Sequence, residues 1–64
     1  MSFNKLDTLY DKLQDVINDC QYDVTKFVAG NNSAGTRVRK AMQAVKQLAQ
    51  DVRVEVQDQK NAQF

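Results

Sequence analysis

The chain has 64 residues, with nine Lys/Arg against eight Asp/Glu, no histidine, no proline and one cysteine. A single core is marginal at this length, and such chains lean on disulfides, a metal or association. One cysteine excludes an internal disulfide, and one cysteine without histidine excludes a structural zinc site. Association is therefore the expected route to stability.

In the first half, apolar residues recur at Phe3, Leu6, Tyr10, Leu13, Ile17, Cys20, Val24 and Phe27. Steps of three and four are the heptad seam of a helix packed on other helices. Leu9 and Val16 widen the stripe on one flank and Val28 on the other, and a broad stripe suits a bundle better than a two-stranded coiled coil. The spacing predicts a helix over about 3–29, capped by Ser2 or Asn4. Gly30 is placed to end it in a left-handed conformation.

A turn over 30–33 follows, in which Asn31, Asn32 or Ser33 can cap a second helix over about 34–60. Its seam runs through Gly35, Val38, Met42, Val45, Ala49, Val52 and Val56, widened by Ala41 and Leu48. The stretch "VRVEV" at 52–56 alternates like a strand. It has no partner strand, and Val52 and Val56 stay on the helical seam, so helix is expected. The fold class is all-α: an antiparallel two-helix hairpin in one domain, 1–64. Two helices leave half of each broad stripe wet, so the hairpin is expected to dimerise into a four-helix bundle. Its core is expected at Leu6, Leu13, Ile17, Cys20, Phe27, Val38, Met42, Val45 and Val52.

Catalysis has little to work with. Without histidine there is no Ser/His/Asp set and no Cys/His pair. No enzyme activity, cofactor, metal or small-molecule substrate is expected. Asp7, Asp11, Asp15, Asp19 and Asp23 recur every four residues. That step winds across a helix face, which suits a solvated acidic surface better than a divalent-metal site. Cys20 on the seam reads as a small apolar residue. An intersubunit disulfide would need two first helices to cross there. Asn31-Asn32-Ser33 matches a glycosylation sequon, taken as chance. The N-terminus lacks a basic region followed by an apolar core, and no apolar run nears the ~18 residues of a membrane span. A cytoplasmic location is expected.

Charge is unevenly distributed. Residues 1–29 hold three lysines and five aspartates, while residues 30–64 hold six Lys/Arg and three acids. The central stretch "GNNSAGTRVRK" contains both glycines and begins the most basic segment. A helix starting here presents unpaired N–H groups and the positive end of its dipole. Ser33 and Thr36 add hydroxyls, and Asn31 and Asn32 add amides. Gly35 carries no side chain to obstruct an approaching group. Arg37, Arg39 and Lys40 add charge, extended by Lys46. Bases in a first turn oppose the dipole by a few tenths of a kcal/mol each. A plain turn explains the glycines and asparagines, and a phosphate contact also explains the bases. Arg39, Lys46, Arg53 and Lys60, seven apart, read either as flanking charges that meet a neighbouring helix's aspartates or as a basic stripe along the bundle.

The motif "GN-x-x-A-x-x-R-x-R", here Gly30, Asn31, Ala34, Arg37 and Arg39, resembles the turn of the bacterial linker-histone-like (chlamydial histone-like) DNA-binding family. The resemblance covers most of the chain in organisation and about eleven residues in detail. It implies sequence-tolerant binding of double-stranded DNA by a nucleoid-associated protein. Chlamydial members carry a long Lys/Ala-rich tail and this chain ends in "DQKNAQF", so DNA contact is expected to rest on the hairpin. The alternative is a helical interaction or oligomerisation module without nucleic acid.

Overall fold

The computed structural model describes residues 4–63, which form α1 (Lys5–Val28) and α2 (Asn32–Gln63). Phe3 and Ser2, expected on the seam and at the first cap, lie outside the described residues. The helices pack side by side and run antiparallel. No strand occurs among the described residues, and Val52–Val56 lies within α2. The body is a flat rod of 51 × 22 × 11 Å with a radius of gyration of 15.3 Å. A compact globule of this length would have a radius near 11 Å.

Each helix end has a physical cause. Asn4 caps α1, its side-chain oxygen accepting from the Leu6 N–H at 2.9 Å. Asp7 in the first turn and Lys26 in the last suit the dipole of α1. At the other end the Gly30 N–H donates to the Phe27 carbonyl at 2.9 Å and the Asn31 N–H to that of Lys26 at 3.0 Å. This is the paired closure of a Schellman motif. It needs a left-handed residue, which Gly30 supplies with φ +109°. Asn31 then caps α2, its side-chain oxygen accepting from the Ala34 N–H at 3.2 Å. One short link thus ends one helix and starts the next, and α2 begins at Asn32, two residues ahead of the expected start. Along α2, i,i+4 hydrogen bonds such as Gln47 to Asp51 and Gln57 to Asn61 support the solvent side.

The contact between the helices differs from the expected seam. In α1 the covered positions toward α2 include Leu6, Leu9, Leu13, Val16, Cys20 and Asp23. In α2 they include Ala34, Val38, Ala41, Val45, Leu48, Val52, Glu55 and Gln59, with Gly35 and Ala49 half-buried at the edge. Leu9, Val16, Ala41 and Leu48, expected to flank the stripe, face the other helix. Tyr10, Ile17, Val24, Met42 and Val56, expected at its centre, are between 36% and 53% exposed. In an antiparallel pair, residues one position beyond the seam on both helices project to the same side. One broad face therefore carries Tyr10, Ile17 and Val24 beside Met42, Ala49 and Val56. The physical reason is width: a stripe too broad for one neighbour meets α2 with one edge and leaves the other open. Cys20 and Ala34 are the buried residues among those described.

Candidate nucleic-acid interface

The Schellman closure and the Asn31 cap hold the start of α2 in place against the end of α1. Asn31, Asn32, Ser33, Thr36, Arg37, Arg39, Lys40 and Lys46 are all exposed, while Gly35 is half-buried. The tip therefore presents amides, hydroxyls and cations to solvent. Two of its expected members, however, are occupied from within the hairpin.

Arg37 donates from Nε to Asp23 Oδ1 at 2.9 Å. Asp23 is the last rung of the aspartate ladder and turns inward toward α2. Arg37 thus ties the ends of the helices together while its side chain remains half-exposed. A surface pair of this kind is worth about 0–1 kcal/mol.

Gly35 has a second explanation. A Cβ at Gly35 would lie 2.6 and 2.7 Å from two carbons of the Phe27 ring. What approaches this glycine closely is the Phe27 side chain of the same chain. Phe27 itself stays 50% exposed, so the ring lies over α2 like a cover at the tip.

The remaining cations sort by side. Arg39 and Lys40 share a shallow depression with Thr36 and Gln43. Lys46 and Arg53 share the next one with Gln43, Gln47, Ala49 and Gln50. Gln43 borders both, so the two are continuous along the outside of α2. The acids of α2 lie elsewhere: Asp51, Glu55 and Asp58 surround Lys5 of α1, and Lys5 Nζ is 3.8 Å from Glu55 Oε1. The start of α2 therefore continues into an acid-free outer face. The sequence pattern puts Arg39 and Lys46 in the interface and leaves Arg53 and Lys60 open between flanking charges and a basic stripe. The signal that joins them is the seven-residue spacing. Lys26, near the end of α1, holds its Nζ 4.8 Å from the Tyr22 ring centroid, a cation–π contact within α1.

The expected core residues divide as well. Cys20 is buried, Leu6, Leu13, Val38, Val45 and Val52 are half-buried between the helices, and Ile17, Phe27 and Met42 are exposed in the single chain. Among the described residues no group of carboxylate or thiol side chains is placed to hold a metal ion. No helix among them is long and apolar enough to cross a membrane.

No curated protein and no solved structure matches the chain. The family model of the histone H1-like protein Hc1 matches residues 7–62, spanning nearly all of α1, the turn and nearly all of α2. With a match over that much of its length, the chain belongs to the histone H1-like protein Hc1 family.

Proposed function

We propose that this protein is a nucleoid-associated, histone-like protein that binds double-stranded DNA with little sequence preference. It acts without catalysis, cofactor or small-molecule substrate, within the cytoplasm. The phosphates are met at the tip by Asn31, Asn32, Ser33, Gly35, Thr36, Arg37, Arg39 and Lys40, with Lys46 next along α2. The observation that carries this reading is the family match over residues 7–62. The exposed amides and cations at the start of α2 support it. They offer charge and hydrogen bonds suited to phosphate oxygens, and nothing in them is arranged to read base edges.

The functional unit in this reading is a homodimer, closed into a four-helix bundle through the face that carries Tyr10, Ile17, Val24, Met42 and Val56. Two buried residues among those described are a thin core, and burying that face is worth roughly 25 cal/mol per Å² of apolar surface. A helical interaction module without nucleic acid is the second reading, and the same exposed apolar face is what favours it.

A salt series on duplex DNA separates the two. About three phosphates neutralised per protomer give a log–log slope near −5 for a dimer engaged at both tips, at roughly −0.9 per phosphate. Arg37→Ala with Arg39→Ala should weaken binding and leave helicity and dimerisation intact. If that variant binds duplex as well as the parent at low salt, the tip is a turn only and the interaction module is the better reading.

A further inference from the structure

We propose that the DNA contact runs along the body of α2, on a track of phosphate ligands formed by Arg39, Lys46, Arg53 and Lys60. This inference rests on the DNA-binding reading and extends it to Arg53 and Lys60, far from the tip.

All four side chains are exposed. Among the described residues none of the four forms an ion pair: the two cross-helix bridges are made by Lys5 and Arg37. An internal structural role is thereby already assigned to other cations. Seven residues advance two turns of a helix and fall short of full register by about 20°, so the row stays on one side of α2. It runs along the edge of the open apolar face and is separated from the acids of α2, which cluster around Lys5 on the opposite side. Between the cations lie Gln43 and Gln50, whose amides donate to phosphate oxygens at no charge cost.

The dimensions suit a duplex. From Arg39 to Lys60 the row covers roughly 32 Å at 1.5 Å per residue, close to the ~34 Å of one helical turn of DNA. A rigid rod carrying four long, flexible cations at steps of about 10.5 Å can follow a phosphate backbone without reading bases. A free phosphate or a short anionic peptide would use one or two of the four. An anionic lipid surface would require the polar groups between the cations to give way to bulky apolar ones, whereas this side of α2 carries amides. If the open apolar face pairs with a second copy, the row remains at the rim and stays free.

The test uses the full chain with Arg53→Gln and Lys60→Gln combined, and separately Lys46→Gln with Arg53→Gln. Both keep good helix formers at exposed positions. Binding to a 30-base-pair duplex is followed by anisotropy across a salt series, with circular dichroism and light scattering as controls. Each lost cation should reduce the slope by about 0.9 per protomer and the affinity roughly eightfold at 0.1 M salt. Helicity and dimer mass should be unchanged. If the tip variant Arg37→Ala/Arg39→Ala loses affinity while both Gln variants keep the parent's affinity and slope, the track is wrong and the tip reading stands. If the parent does not bind duplex at all, the DNA reading fails and the track with it. Loss of dimer mass in the Gln variants without a change in slope means the row pairs with the partner copy's acids, which overturns the proposal. Equal binding of the parent to phosphatidylglycerol vesicles, lost in the variants while duplex binding persists, overturns it in favour of a membrane.

Discussion

The seam between the helices and the face beside it are built from the same kinds of residue, yet their environments differ. Leu13, Val16 and Cys20 meet Ala41, Val45 and Leu48 and are half-buried or buried. One position further round, Tyr10, Ile17 and Val24 stand next to Met42 and Val56 and face water. Apolar chemistry alone does not separate them. Size does not separate them either: the covered row of α2 holds Ala34 and Ala41 together with Val38, Val45 and Leu48, and the open row holds Gly35 and Ala49 together with Met42 and Val56. What differs is the polar pairing at the helix ends, where Arg37 meets Asp23 and Lys5 meets Glu55 on the side of the seam away from the open row. The open row is left to whatever lies outside the hairpin.

The largest effect that would break this comparison is a charge on each side of it. Val45→Asp places a carboxylate between the helices, where an unpaired charge costs several kcal/mol. A chain of this size has only a few kcal/mol of stability in total, so the variant is expected to be unfolded by circular dichroism. Ile17→Asp does the same on the open face. In an isolated hairpin it would change stability by about 0.5 kcal/mol or less. If the face is covered by a second copy, as proposed, it should abolish the dimer and much of the helicity together. A melting temperature within a few degrees of the parent would mean that this face stays wet in solution.

A smaller effect sharpens the contrast from within the seam. Cys20 is 5% exposed. It should react slowly with a thiol reagent in the native state. Cys20→Ser is expected to lower stability by about 1 kcal/mol or more, because a hydroxyl replaces a weakly polar group in a dry site. Fast labelling without unfolding would show that the seam opens readily at its midpoint.

The smallest effect lies where the two regions meet. Gly35 belongs to the open row, and Phe27 reaches over it from α1. Gly35→Ala gains up to about 1 kcal/mol of helix propensity but pushes the ring aside. In a Phe27→Ala background the same change meets no obstacle. The double-mutant cycle is expected to give a coupling of at least about 0.5 kcal/mol, with Ala more favourable once Phe27 is gone. Zero coupling would mean that the ring does not rest on Gly35 in solution.

Much of the hairpin was legible in local chemistry. The absence of proline, the run of three- and four-residue apolar steps, and one Gly-Asn-Asn turn leave little other than two helices. Asn4 and Gly30 act at the helix ends as their types suggest. The candidate interface was legible in part. The exposed amides, hydroxyls and cations of "GNNSAGTRVRK" are where the pattern places them. The engagement of Arg37 with Asp23, fourteen residues away, was hidden, because both residues sit in rows that look solvated when each helix is read alone. So was the use of Gly35 by Phe27: both lie on the expected seams, but the ring's close approach to the glycine shows only when the two helices are brought together.

The sequence by itself determined the helical class, the place of the turn and the family, and narrowed the caps to a few candidates, since these depend on neighbours within one or two turns of chain. Only the tertiary structure decided which edge of each broad stripe faces the other helix. Periodicity defines an apolar sector on a cylinder but not the direction from which a partner arrives. That direction follows from the Asp23–Arg37 and Lys5–Glu55 pairs on one side, and from the Phe27 ring closing over Gly35 on the other. Those contacts turn one apolar sector into a covered seam and an open face, and set the acid-free side of α2 beside the latter.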